Sequence, residues 1–244
     1  MRIFFLLLAL IMSGAYGQKP DGKELLLRVD KNMSAETRIF TSKMIIHGKR
    51  SVRTIESKSW VAGDKKSYSE YLFPAREQGT KMLKLEEQLW IYSPSSDRII
   101  LIAGHMLRQS VMGSDMSYED IMEDKKLIDH YNAGVTGMEK VNDRQCWVVM
   151  LTAYDPAVAY QGRKLWVDTE RYIPLKEELY AKGGTLLKRT ELSDIENING
   201  RWFPKRIVFK DMLKDGDGTE FIMEEIEFNV KIDDYVFSKA NLKK

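Results

Sequence analysis

The amino-acid sequence predicts a mainly β protein with few helices, folded as an incomplete, unclosed antiparallel β-barrel with helices and a covering segment on its concave side. Three observations support this class. Roughly ten to twelve short segments with β-type patterning lie between Arg38 and Ile232. The turns between them are short, and Asn199-Gly200 is the strongest hairpin signal, so neighbouring strands should run antiparallel. The last segment alternates apolar and polar residues, which is typical of a sheet with one buried face.

A single amphipathic helix is predicted before this β region, over Asp21–Met33. Asp21 can cap it, and its apolar residues fall on one face. The β-type segments that follow end at turn residues such as glycine, proline and asparagine. The clearest of them are Arg38–His47, Ser51–Ala62, Arg98–Ile102, Arg144–Ala153, Phe203–Leu213 and Thr219–Ile232. Both faces of Arg144–Ala153 are mostly apolar, which favours a central strand covered on both sides.

The N-terminal residues have the pattern of a secretory signal peptide. Arg2 precedes the apolar run Ile3–Met12, and Ala15-Tyr16-Gly17 fits a small-x-small cleavage site. The alternative is a retained membrane anchor, but the run is shorter than the about 20 residues that span a bilayer. We therefore expect cleavage after Gly17 and export to the periplasm, with residues 18–244 forming a single domain.

Composition limits the possible functions. The chain has 38 basic and 36 acidic residues, and such a balance argues against nucleic-acid binding, which usually requires a clear basic excess. Hydrophobic residues make up 43% of the chain, which is enough for a substantial core. The single cysteine, Cys146, allows no internal disulfide, so this core must stabilise the fold unaided.

The sequence contains no pattern that predicts catalysis, a metal site or a cofactor. His47, His105 and His130 lack the paired spacing of metal ligands. Ser114 does not lie in a G-x-S-x-G motif. A lipid hydrolase is the enzymatic alternative, and it would need Ser114 to lie beside His105 or His130.

The stretch Gly104–Met122, called the cover segment below, interrupts the β pattern with many methionines and with glycines. Methionine side chains are flexible and polarizable, so the stretch could be a movable cover over an apolar cavity. It could also be a loop and short helix that plug one end of the β core. Ser117 and Asp120 predict a short capped helix near its end.

The cover segment also contains the most specific family motif. Met112–Asp120 reads MGSDMSYED and is similar to a segment of the exported LolA-like proteins, which sort outer-membrane lipoproteins. Leu89–Pro94 resembles the LWIYLP strand and turn of that group. Phe73-Pro74 followed by Gly79-Thr80 resembles its PAxxxGT strand entry. Weaker similarities occur in the family's order at Leu165–Asp168, Pro174–Lys176, Leu187-Lys188 and Phe203-Pro204. The sequence therefore resembles the LolA-like group over nearly the whole chain that follows the signal peptide.

This resemblance implies an incomplete β-barrel and a non-enzymatic periplasmic carrier that shelters the acyl chains of a lipid or lipoprotein during transfer between membranes. The implied partners are those acyl chains, an inner-membrane transporter and, transiently, a membrane surface. No cofactor or nucleic acid is implied. The alternative is a periplasmic sensor or scaffold of the same fold that binds a partner protein or membrane transporter.

Composition and resemblance together predict the ligand contacts. Met116 stands where the family commonly has phenylalanine, and it should keep an apolar contact. Gly104 and Gly113 are the expected hinge points of the cover segment. The residues predicted to bind the acyl chain are Trp90, Met106, Leu107, Val111, Met112, Met116 and Tyr118.

Overall fold

The computed structural model describes residues 19–49, 51–123 and 126–244, so the predicted signal peptide lies outside the described residues. Within these ranges the chain forms thirteen strands. They are β1 Thr37–His47, β2 Val52–Ala62, β3 Lys66–Phe73, β4 Lys81–Leu85, β5 Gln88–Ser93, β6 Arg98–Ile102, β7 Tyr131–Val141, β8 Arg144–Ala153, β9 Gly162–Asp168, β10 Pro174–Tyr180, β11 Leu186–Ile198, β12 Arg201–Asp211 and β13 Gly218–Phe228.

All thirteen strands belong to one antiparallel sheet, in the order β6-β5-β4-β3-β2-β1-β13-β12-β11-β10-β9-β8-β7. Two series of hairpins, β1 to β6 and β7 to β13, meet where β1 pairs with β13. Strands β6 and β7 form the two edges, and the described residues contain no pairing between them. The sheet is therefore an unclosed barrel, and the predicted fold class is confirmed, with thirteen strands instead of ten to twelve.

Helix α1 (Gly22–Met33) covers the β7–β9 end of the sheet. Asp21 caps the helix by accepting a hydrogen bond from the Glu24 N–H at 2.9 Å, as predicted. A Cβ atom at Gly22 would lie 2.2 Å from the carbonyl oxygen of Ala133, so only glycine allows the helix to begin this close to β7. The apolar face of α1 packs on β8 and β9 in a buried cluster that includes Leu25, Leu26, Val29, Val149, Leu151, Leu165 and Val167.

Strand β8 is buried on both faces but lies second from an edge of the sheet, so the prediction of a central strand is wrong. Val149 and Leu151 lie under α1. Cys146 and Val148 pack with Trp166 in a separate cluster. The cover by α1 on one face and the side chains of neighbouring strands on the other, and not a central position, explain the two apolar faces.

The end of the chain also differs from the prediction. Strand β13 ends at Phe228 instead of continuing to Ile232. A 3₁₀ helix, Asp234–Phe237, and the short helix α3, Lys239–Leu242, follow. They cover the outer face of β3 to β5 in a buried cluster of Tyr68, Leu83, Trp90, Phe237 and Leu242.

The cover segment connects β6 to the region before β7 across the concave side of the sheet. It consists of two 3₁₀ helices, Gly104–Arg108 and Val111–Gly113, and helix α2, Tyr118–Met122. Ser117 and Asp120 form the predicted cap of α2 as a reciprocal capping box. Within the described ranges, no helix combines the length and apolar character needed to cross a bilayer.

Candidate ligand cavity

A cavity lies between the inner face of the sheet and the cover segment. Its volume is about 370 Å³, which falls within the range of pockets that hold small ligands. Apolar side chains from the sheet, from the cover segment and from the end of α1 form much of its wall. They include Met33, Phe40, Met44, Ile55, Val61, Tyr71, Met82, Val111, Met116, Ile121, Leu179, Phe203, Ile207, Phe209, Phe221 and Met223.

The cavity also has a polar side. Charged and hydroxyl side chains reach it from the sheet, from α2 and from the residue that follows α2. They include Ser57, Ser59, Ser69, Lys84, Asp120, Glu123, Arg163, Glu177, Lys188 and Thr190. Burying a charge is costly unless the charge is paired and hydrogen-bonded, so the partners of these groups decide whether the arrangement is stable.

Arg163 on β9 is the centre of a buried ion network. Its guanidinium donates to Glu177 at 3.0 Å, to Glu123 at 3.3 Å and to the Tyr131 hydroxyl at 2.9 Å. Burial opposes the charge of Arg163, but Glu177, Tyr131 and Glu123 more than offset this effect, and the pKa of the guanidinium lies above its ordinary value. The network binds Glu123, the residue that follows the cover segment, to β9 and β10.

A second buried ion pair joins α2 to β11. The Lys188 ammonium contacts the Asp120 carboxylate and donates to the Ser117 hydroxyl at 3.2 Å. The Tyr160 hydroxyl donates to the same carboxylate. Burial, together with the charge of Asp120, raises the pKa of the Tyr160 hydroxyl, so this group remains a donor. Asp120 therefore caps α2 and binds it to the sheet.

Asp115 anchors the middle of the cover segment to the β12–β13 hairpin. Its carboxylate accepts from the Thr219 hydroxyl at 2.9 Å and from the Asp211 N–H at 3.0 Å. Its own N–H donates to the Thr219 hydroxyl at 3.0 Å. Asp115 is 8% exposed and Thr219 is fully buried, so water cannot replace these bonds while the segment stays in place.

Two cationic side chains bind carbonyl oxygens of the cover segment. Arg53 on β2 donates to Met112 at 2.7 Å, and Lys84 on β4 donates to Ile121 and Met122 at 3.3 Å. With Asp115 and the two ion networks, these bonds fasten the half of the cover segment that begins at Val111.

Comparisons with known proteins agree with this architecture. A family model described as uncharacterized protein matches residues 63–244, which is more than half of the chain. The chain belongs to this family. A search of curated proteins gives no sequence match.

Three solved structures have the same fold as this chain. Each is 23% identical in sequence, and each comparison covers 91% of this chain. A domain assigned to the outer membrane lipoprotein-sorting proteins, from Vibrio parahaemolyticus, has a TM-score of 0.80 over 98% of its own chain. A DUF1329 family protein from Desulfovibrio piger has a TM-score of 0.82 over 97%, and a LolA superfamily protein from Nitrosomonas europaea has 0.74 over 100%. The LolA-like fold that the motifs implied is therefore confirmed.

The residues predicted to bind acyl chains are divided between the cavity wall and separate buried clusters. Val111 and Met116 line the cavity. Met112 packs against the buried cluster of Met44, Ile46, Ile55 and Tyr71. Three others pack around Leu89, Ile102 and Met122, and these are Met106, Leu107 and Tyr118.

Trp90 lies on the outer face of β5, away from the cavity. Its ring packs with Phe237, and the Lys239 ammonium lies 3.9 Å from the ring centroid. Trp90 is thus covered by the C-terminal helices, whereas the neighbouring Leu89 faces the cover segment. The sheet itself therefore lies between the Trp90 ring and this cavity.

The two predicted hinge glycines both have backbone angles that favour glycine, with φ of +56° at Gly104 and +75° at Gly113. A Cβ atom at Gly104 would meet nothing within 4 Å. At Gly113 it would lie 3.1 Å from Nη2 of Arg53, beside the bond that holds Met112. The hinge role of both residues stays a prediction.

The residues of the hydrolase alternative have other partners. The Ser114 hydroxyl donates to the Met116 carbonyl oxygen at 3.3 Å, and the His130 ring contacts Asp155 at 2.8 Å. In the described part of the chain, Ser114 is bonded to neither His105 nor His130. The same part of the chain contains no cluster of three or more potential metal-ligating His, Cys, Asp or Glu residues.

Sequence reasoning missed the polar side of the cavity. Arg163 and Lys188 each lie in an ordinary strand pattern, and their partners Glu123 and Asp120 are 40 and 68 positions away in the chain. The signal in the sequence was a charged residue on the same strand face as apolar residues. Arg163, for example, shares a face of β9 with Leu165 and Val167. Such a signal becomes visible only after the inner face of each strand is known.

Proposed function

We propose that the protein is a periplasmic carrier, not an enzyme, that shelters acyl chains of a lipid or lipoprotein in this cavity during transfer between membranes. The observation that supports the proposal most strongly is the cavity itself, which has an apolar wall and lies beneath a separate cover segment. Each methylene group that leaves water gains about 0.8 kcal/mol, so even part of an acyl chain would bind favourably.

The distribution of anchors suggests how a ligand enters. From Val111 to Met122 the cover segment, together with the following Glu123, is bonded to the sheet by ion pairs and buried hydrogen bonds. Within the described residues, the hydrogen bonds of Gly104–Gln109 are made only to the cover segment itself and to Ala103. We expect this first part of the segment to move, with Gly104 as its hinge, while the second part stays fixed.

A lipid-extraction experiment tests the carrier function directly. The protein is exported to the periplasm, purified without detergent, denatured and extracted, and the extract is analysed by mass spectrometry. We expect lipid or acylated peptide in a ratio approaching one per protein molecule. An extract free of acyl compounds, together with no uptake from added membrane lipid extract, would exclude the function.

A cavity-filling substitution should abolish this binding. Ile207 on β12 lines the cavity, so Ile207→Trp places a bulky ring in the space proposed for the acyl chain. The matched control is Val208→Trp, on the same strand but on the opposite face. We expect at least a tenfold loss of lipid binding for Ile207→Trp and less than twofold for Val208→Trp, measured by displacement of a fluorescent fatty acid. Equal effects of the two variants would contradict binding in the cavity.

One observation favours the alternative of a partner-binding module. Strand β6 is an edge strand, and its residues Ile100 and Leu101 are exposed. An exposed apolar edge can accept a strand from another protein. Ile100→Lys should leave lipid binding unchanged if the carrier function is correct. If lipid is absent and this variant alone loses a periplasmic partner in pull-down experiments, the module alternative is favoured.

A further inference from the structure

Four serines on the inner face of β1, β2 and β3 form two hydroxyl pairs. The Oγ atoms of Ser42 and Ser57 are 3.0 Å apart, and those of Ser59 and Ser69 are 2.8 Å apart. Ser42, Ser57 and Ser59 are each more than nine-tenths buried. Ser57, Ser59 and Ser69 line the cavity. The pairs therefore form a polar band, called the hydroxyl band below, within the largely apolar wall.

Proton counting shows that each pair has one donor to spare. A serine hydroxyl carries one proton and two lone pairs. When two hydroxyls bond to each other, one proton is used and the other needs a different acceptor. In the described part of the chain, the side chains of Ser42, Ser57, Ser59 and Ser69 make no other hydrogen bond.

The cavity-lining serines can direct the spare protons into the cavity. Ser57 lines the cavity, whereas the more buried Ser42 does not. Both protons therefore find an acceptor when Ser42 donates to Ser57 and Ser57 donates to a group in the cavity. In the other pair both serines line the cavity. Ser57 and Ser59 are two residues apart on one face of β2, which places the two donors about 7 Å apart.

Tyr71 adds a fifth hydroxyl, and a third spare donor, next to the band. It is paired with Ser57 across β2 and β3, lines the cavity and is 6% exposed. Its hydroxyl makes no hydrogen bond to any described residue. Burial raises the pKa of this hydroxyl, so it stays protonated and can donate to an acceptor inside the cavity.

We propose that the hydroxyl band recognises carbonyl oxygens of acyl esters or amides, so that the preferred ligand holds such a linkage inside the cavity. The inference rests on the proposed carrier function and narrows its ligand class. A carbonyl oxygen accepts hydrogen bonds and brings no donor of its own. A pure hydrocarbon would leave the buried donors unsatisfied, which weakens binding. A free carboxylate would also accept, but its charge is costly beside the apolar wall.

A matched pair of lipids tests this recognition. Diacyl phosphatidylglycerol and its dialkyl ether analogue, with the same chain length, differ at the linkage only by the two carbonyl groups. The protein without its signal peptide is titrated with each lipid in competition with a fluorescent fatty acid. Because one hydrogen bond changes an affinity by about threefold to tenfold, we expect the diacyl lipid to bind at least threefold more tightly.

Variants assign the preference to the hydroxyl band. S42A/S57A and S59A/S69A each remove both members of a pair, which leaves no unpaired group behind. Each should reduce the diacyl preference toward one, while binding of the dialkyl lipid stays the same or becomes tighter because no donor is left unsatisfied. Tyr71→Phe keeps the ring and its packing, so it provides a well-folded test if a double variant is unstable. The control is Ser96→Ala in the exposed β5–β6 turn, which should keep the full preference.

The outcomes separate this inference from the carrier function. If both lipids bind the native protein equally, the hydroxyl band does not recognise carbonyl groups, although the carrier function stands. If neither lipid nor a diacylated lipopeptide binds, the carrier function itself is wrong. If the lipopeptide binds more tightly than the diacyl lipid, and the variants weaken its binding, the ester groups belong to a lipoprotein and not to a free glycerolipid.

Discussion

Replacement of Arg163 by methionine is expected to lower the free energy of unfolding by about 3–5 kcal/mol, because it leaves two buried carboxylates without their cation. Glu123 and Glu177 have side chains that are 12% and 16% exposed, so water does not take over the role of the guanidinium. Urea denaturation followed by tryptophan fluorescence measures the change.

Two further variants show whether the loss comes from the unpaired carboxylates. The triple variant R163M/E123Q/E177Q removes all three charges and should recover much of the lost stability. The control Arg28→Met breaks the exposed pair with Glu24, where about 0.5 kcal/mol or less is expected. If Arg163→Met lowers the free energy of unfolding by less than about 1 kcal/mol, Arg163 does not pair with the two buried carboxylates as described.

Replacement of Asp115 by alanine should both destabilise the protein and release the cover segment. The change leaves the buried Thr219 hydroxyl and the Asp211 N–H without their acceptor, and each unsatisfied group costs about 1–3 kcal/mol. We expect a loss of about 2–4 kcal/mol in urea denaturation. Hydrogen exchange should increase mainly in Gly104–Met122.

The matched control for this release is Asp215→Ala in the same β12–β13 hairpin. Asp215 is exposed and, among the described residues, pairs only with Lys49, so the loss of stability should be within about 0.5 kcal/mol. Lipid exchange between vesicles should be faster for Asp115→Ala than for the native protein and unchanged for Asp215→Ala. If amide hydrogen exchange in Gly104–Met122 stays at the native level in Asp115→Ala, the Asp115 carboxylate is not the anchor of the cover segment.

Local chemistry made most of the fold predictable. Hairpin turns such as Asn199-Gly200 and the cap at Asp21 act within a few residues, and the strands and helix they bound lie where the sequence placed them. The errors came from contacts distant in sequence. Strand β8 has two apolar faces because α1 covers one and Trp166 of the neighbouring strand packs beside the other, and the sequence pattern cannot distinguish this from a central position.

The candidate site was less predictable, because its geometry depends on pairs far apart in the chain. The motif Met112–Asp120 correctly predicted a cap formed by Ser117 and Asp120. It could not show that Asp115 binds Thr219, which lies 104 positions later. Trp90 was predicted to face the ligand because it is aromatic, but its position in β5 places it on the outer face.

The most direct test of the central claim is to map where a bound acyl chain lies. A phospholipid with a photoactivatable diazirine near the end of one chain is bound to the native protein, irradiated and located by peptide mass spectrometry. We expect labelling of inward residues of β1, β12 and β13, such as Phe40, Phe203 and Phe221, and its loss in Ile207→Trp. Labelling confined to the outer face or to the β6 edge, for example at Leu101, would contradict the account.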